Sequence, residues 1–127
     1  MSYENKPDSP YYIDMGARVR KVQEAMKARG LSAYIGSRPR TLTWLLDAFC
    51  PWRSYIVVPA SGEPAVFTFI VDSTRLADET WLPKDNVRAY APMGGQDQVS
   101  VLQSFVQDAL GLSRGRIGLE TGISVYT

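Results

Sequence analysis

From Asp14 onward, apolar residues recur at helical spacing. Met15, Val19, Val22 and Met26 fall on one face, Asp14 can cap the first turn, and Gly30 follows Arg29 as a left-handed terminator. The spacing predicts an amphipathic helix whose other face, with Arg18, Arg20, Lys21, Glu24 and Lys27, is a solvated surface. Leu31 to Ile35 is a short apolar run ending at Gly36, as expected of a buried strand, and Arg38-Pro39-Arg40 turns the chain. Thr41 to Leu46 predicts a short helix with Leu42, Leu45 and Leu46 inward. Tyr55 to Val58 and Ala65 to Phe69 flank a loop in which Gly62 permits a positive φ. Two β-rich runs joined so briefly are antiparallel neighbours.

The second half predicts a helix capped by Asp72 or Ser73 and running to about Trp81, ended by Pro83, and then a strand at Val87 to Ala91. After Pro92-Met93-Gly94-Gly95 comes a long helix with Val99, Leu102, Phe105, Val106 and Ala109 as its apolar stripe and Gly111 as its end. Ile117-Gly118-Leu119 reads as a short buried strand. The order α-β-α-β-β-α-β-α-β implies an α/β fold, a three-layer mixed β-sheet with a central antiparallel hairpin and helices on both faces. Residues 1–13 are polar and rich in turn formers and read as a flexible arm, leaving 14–127 as one domain. A new apolar segment opens at Thr121 to Thr127 with no terminator after it, so the chain reads as a piece of a longer protein.

Composition narrows the chemistry. The 127 residues hold 14 Lys+Arg against 13 Asp+Glu, one cysteine and no histidine. Without histidine there is no Ser-His-Asp or Cys-His catalysis and no histidine-containing zinc site. A net charge of +1 gives no field suited to nucleic acid or to an anionic membrane surface. No apolar run is long enough to span a bilayer, and residues 1–10 lack the apolar core of a signal peptide, so the expected location is cytoplasmic. Cys50 has no disulfide partner and no histidine to activate it, which favours a small buried hydrophobe over a nucleophile.

Three features remain as candidate chemistry. Gly94-Gly95 before a helix offers backbone N–H groups to a phosphate but matches neither a dinucleotide fingerprint nor a P-loop, so a plain connection explains it better. Asp72, Asp78, Glu79, Asp85, Asp97 and Asp108 are scattered over predicted helix starts and exposed faces, where capping and solubility account for them; Asp72, at a strand-to-helix junction, is the least easily dismissed. Phe49-Cys50-Pro51-Trp52-Arg53 is the most unusual stretch. Proline stiffens the loop, Trp52 brings a large face with one donor, and Arg53 offers a planar fork suited to a carboxylate. Such groups carry recognition surfaces, although Trp52 buried as a staple on the strand Tyr55 to Val58, with Arg53 reaching water, is the plainer reading. Arg38 and Arg40 can widen the same cationic surface.

The segment Met26 to Ile35 resembles the helix, glycine and strand that open the creatinase and prolidase N-terminal domain. Thr41-Leu42-Thr43-Trp44-Leu45 sits where that family has Asn-x-x-Tyr-Leu, and Asp47 stands where a glycine is common. Tyr55 to Val58, Ser61-Gly62-Glu63-Pro64 and Ala65 to Phe69 are similar to its central hairpin, and Arg116-Ile117-Gly118-Leu119-Glu120 to its Lys-Ile-Gly-Val-Glu strand. The resemblance runs from about Asp14 to Glu120 and implies a ribonuclease-H-like sheet placed before a catalytic domain of pita-bread fold. In that family the downstream domain binds two divalent metal ions (Mn, Co or Zn) through Asp, His and Glu and hydrolyses Xaa-Pro peptides, creatine or related amides. None of those ligands falls on this chain, so no catalytic residue, metal ligand or cofactor is assigned to it.

The resemblance further implies a homodimer whose N-terminal domain lends a loop to the neighbouring active site. In creatinase-like members that loop holds Phe-Gly-Arg, whose arginine binds the substrate carboxylate, and of these residues Arg53 alone matches, in Pro51-Trp52-Arg53. The expected function is therefore a non-catalytic N-terminal domain of a metal-dependent Xaa-Pro dipeptidase or aminopeptidase, serving dimerisation and substrate-site capping. Its partners are its own C-terminal catalytic domain, a second copy and a small peptide or amide substrate, with Arg53 and Trp52 as substrate-binding residues in trans. The alternative is a protein-interaction module of a metal-less pita-bread homologue. A free-standing nuclease of ribonuclease-H type is a distant third, because it needs acidic residues clustered on strand ends.

Overall fold

The fold was obtained as a computed structural model and describes residues 5–50, 53–91, 97–109, 111 and 115–120. Helix α1 (Met15–Ala28) begins where Asp14 Oδ1 accepts the Ala17 N–H at 3.0 Å and buries Met15, Val19 and Met26. Upstream of it, the Asn5 side chain makes two hydrogen bonds with the backbone of Ile13. Strand β1 (Ala33–Gly36) leads to α2 (Pro39–Leu46), two residues longer at its start than the spacing predicts. Proline at the first helical position has the right φ and lacks only an N–H the helix would not use.

Strands β2 (Tyr55–Pro59) and β3 (Ala65–Phe69) form the expected antiparallel hairpin, with Tyr55 opposite Phe67 and Val57 opposite Ala65; Gly62, at φ 96°, makes its turn. Helix α3 (Ser73–Glu79) and β4 (Val87–Tyr90) follow, then α4 (Gln98–Ser104), which continues into a wider π turn at Phe105–Ala109, and finally β5 (Ile117–Leu119). The sheet order is β4-β3-β2-β1-β5, with parallel pairs at both edges and antiparallel pairs at the centre.

Both faces of the sheet are covered, which is why β2 and β3 read as nearly continuous apolar runs. On one face Ile56, Val58 and Val66 pack with Val19, Met26, Leu42, Leu45, Leu46 and Leu76 from α1, α2 and α3. On the other, Val57, Ala65 and Phe67 pack with Val101, Leu102, Phe105 and Val106 from α4 and its continuation. Phe105 meets Phe67 edge-on, with ring centroids 5.3 Å apart.

Several sequence expectations change. Asp72 does not cap α3: it closes a 3₁₀ turn at Ile70–Asp72 and faces Arg75 at 3.8 Å. That helix stops at Glu79, well before Pro83, because the Thr80 hydroxyl turns to the Leu46 carbonyl at 2.7 Å. Val99 is 69% exposed, and Val101 takes its place in the α4 stripe. Strand β5 is an edge strand rather than a buried one, and Leu119 is 65% exposed. Arg18 is not simply solvated: its guanidinium lies 5.0 Å from the Trp44 ring and donates to the Trp44 carbonyl at 2.7 Å, tying α1 to α2. Gly94, Gly95 and the Ala109 side chain lie outside what the structure describes. No described helix is long and apolar enough to cross a membrane.

Candidate functional site

The segment after α2 is held by its backbone while parts of its side-chain surface stay open. Asp47 leaves the helix at φ 54°, a left-handed conformation that Asp tolerates better than most residues and that explains why glycine suits this position. Four side chains then fasten the last turn of α2 and the loop behind it. Trp81 Nε1 donates to the Leu45 carbonyl at 2.7 Å, and Thr80 Oγ1 to that of Leu46. Arg75 Nη2 donates to the Phe49 carbonyl at 3.1 Å, and the Tyr90 hydroxyl donates to the carbonyl of Arg53. Ser54, just beyond, is buried and paired with Thr68 at 3.0 Å.

Arg53 is exposed at the end of this tethered loop, and Trp52 and Pro51 lie outside the described residues. The same Arg75 guanidinium bonds Glu79 at 2.7 Å and lies near Asp72, so loop 47–50 and the turn at 70–72 are clasped together. Beside that clasp stand Phe49, 58% exposed, and Val71, 75% exposed, with Ile70 next to them. The result is an apolar surface next to a cation, with Asp72 and Tyr90 behind it. Burial, with Tyr55 and Asp72 nearby, pushes the Tyr90 hydroxyl above its ordinary value, so it acts here as a hydrogen-bond donor and not as a base.

Cys50 is buried, and burial pushes its thiol up to about 11 despite a hydrogen bond with Ser54. A thiol that stays protonated at neutral pH packs like a small hydrophobe. Among the described residues no three acidic or cysteine side chains gather as a metal site would require, so no step through a metal is assigned to them.

A second polar constellation sits at the opposite end of α2. Glu120 accepts the Arg38 N–H at 2.6 Å, the Ser37 N–H at 3.2 Å, the Tyr34 hydroxyl at 2.9 Å and the Thr41 hydroxyl. Burial opposes its ionisation, but these four bonds outweigh it and hold the carboxyl below the ordinary carboxylate range. Burial, and then the hydrogen bond to the Glu120 carboxylate, raise Tyr34 to about 12. Arg38 and Arg40 belong to this end of the helix, so they do not widen the surface at Arg53 as the sequence suggested; Arg40 lines a groove between α1 and α2 instead.

The sequence reading singled out Arg53 but missed the residues that fix its loop. Arg75, flanked by Asp72 three residues before and Glu79 four after, was the one legible signal. Thr80, Trp81 and Tyr90 carried none.

Comparisons with known proteins agree with this fold. The family model of the creatinase/prolidase N-terminal domain matches residues 18–127. No curated protein matches the chain. The N-terminal domain of an Xaa-Pro dipeptidase from Lactobacillus brevis superposes with a TM-score of 0.66 at 14% identity, over 86% of this chain and 81% of that one. A proline dipeptidase structure from Streptococcus pneumoniae gives 0.63 at 18% identity, over 81% and 73%. The dipeptidase PepE from Mycobacterium ulcerans gives 0.64 at 18% identity, over 87% of this chain but 29% of its own, so the chain spans under a third of that protein. At these identities the superpositions establish the fold, and the family match covers most of the sequence: the chain belongs to the creatinase/prolidase N-terminal domain family.

Proposed function

We propose that this chain is the non-catalytic N-terminal domain of an Xaa-Pro dipeptidase-like metallohydrolase, a cytoplasmic protein in which it serves dimerisation and caps the substrate site. The observation that carries the reading is the exposed Arg53 on a loop anchored at the Leu45, Leu46, Phe49 and Arg53 carbonyls. A guanidinium on a fixed stalk recognises a carboxylate at a lower entropic cost than one on a mobile loop. The exposed Phe49, Ile70 and Val71 beside it suit burial against a second subunit. The reaction itself belongs to the catalytic domain, and Arg53, with Trp52 next to it, binds and orients the substrate carboxylate.

The test uses the protein in which this chain is joined to its catalytic domain. Arg53→Ala should raise KM about tenfold for a free Xaa-Pro dipeptide, the worth of one charge-assisted contact, and leave the C-terminally amidated dipeptide unchanged. An equal effect on both substrates removes carboxylate recognition from Arg53. The isolated 127-residue chain should be inert toward Xaa-Pro dipeptides even with manganese or cobalt; metal-dependent turnover by it overturns the non-catalytic reading. The apolar patch at Phe49, Ile70 and Val71 also supports a second reading, a protein-interaction module whose pita-bread domain has lost its metal ligands. Five such ligands encoded downstream favour the hydrolase, and their absence favours the module.

A further inference from the structure

Between α1 and α2, beside β1, lies a groove of about 450 Å³, with Val22, Met26, Leu31 and Trp44 forming its apolar lining and Arg29 and Arg40 among its walls. That size falls within the range of small-ligand sites. None of the lining residues is acidic. Glu120, bonded to the lining residues Tyr34 and Thr41, has its charge met by two backbone N–H groups as well. Arg18, stacked on Trp44, adds a further positive charge at the α2 side. The groove thus combines an apolar lining with a one-signed set of guanidinium groups.

We infer that this groove binds a short free carboxylate carrying an aliphatic or aromatic tail. The tail lies against Val22, Met26 and Trp44, and the carboxylate meets Arg29 or Arg40, whose planar forks match its two oxygens. Charge complementarity selects this occupant over a neutral one. An uncharged apolar molecule would gain only the lining, and a small anion without a tail only the arginines.

The experiment titrates the 127-residue chain with 1-naphthoate and follows the Trp44 indole N–H by two-dimensional NMR. Saturable binding with Kd below about 1 mM is expected, with neutral 1-naphthamide and tailless acetate each at least about tenfold weaker, as the loss of one charge-assisted or apolar contribution requires. The double variant Arg29→Gln/Arg40→Gln should weaken naphthoate about tenfold and leave naphthamide unchanged. Equal affinity for naphthoate and naphthamide, no saturation up to about 10 mM, or undiminished naphthoate binding by a folded double variant overturns the proposal. The naphthoate–naphthamide comparison on the unaltered chain decides the matter even if the double variant does not fold.

Discussion

The two ends of helix α2 solve the same problem by opposite means. At the amino end the backbone leading into the helix meets a charged group from far along the chain: Glu120 takes the Ser37 amide and that of the N-cap residue Arg38, and adds the Tyr34 and Thr41 hydroxyls. At the carboxyl end the orphan carbonyls meet neutral donors from the segment after α3, the Trp81 indole and the Thr80 hydroxyl, and the chain leaves through Asp47 in a left-handed conformation. The charged end is strong but depends on pH. The neutral donors at the other end do not, although Arg75, paired with Asp72 and Glu79, adds a charged tether to the loop behind it.

Breaking the charged end should have the largest effect. Glu120→Gln removes a carboxylate that accepts four hydrogen bonds and should cost about 2 kcal/mol at neutral pH, read as a lower urea midpoint. Because the folded-state pKa is depressed, this stabilisation is complete above the unfolded value of about 4.3 and is lost as pH falls through the lower folded value. The gap between wild type and Glu120→Gln should therefore close below about pH 4. A gap that persists unchanged into acid would mean that the charge is not what matters.

Thr80→Val tests the neutral end with almost no change of shape. It leaves the Leu46 carbonyl without its buried donor and should cost about 1 kcal/mol, a drop of about 4 °C in Tm. Unlike the Glu120 variant, its effect should be the same at pH 7 and pH 4. The smallest effect is a gain: Asp47→Gly relieves the left-handed backbone and should add about 0.5 kcal/mol, the cost of the extra freedom in the unfolded chain offsetting part of the relief. A loss there would show that the Asp47 side chain makes a contact worth more than the strain.

Much of the fold was legible because its signals are local. The α1 stripe with its Asp14 cap, and the run of Leu42, Leu45 and Leu46, survive intact in the structure. So does the hairpin around Gly62, since two apolar runs joined by a short loop have one simple way to pair. Val99 was misplaced because it lies in the first turn of α4, where a helical period cannot show that the sheet is met only from Val101 onward. Leu119 was expected to be buried because an apolar triplet reads the same in a central strand as at an edge. Of the candidate site, the exposure of Arg53 and the burial of Cys50 were readable from residue type, whereas the hydrogen bonds that hold the loop join residues up to 37 positions apart.

The sequence by itself determined which segments are helix and strand, that two strands form a central hairpin, and that no histidine is present for catalysis. Those properties follow from periodicity and composition, which act over a few residues or over none. Tertiary structure alone decided that Glu120 caps α2, that Thr80, Trp81, Arg75 and Tyr90 steady the Arg53 loop, and that Arg40 faces a groove with Arg29. Each of these depends on which buried polar groups come within reach once the sheet has closed, and chain position does not encode that distance.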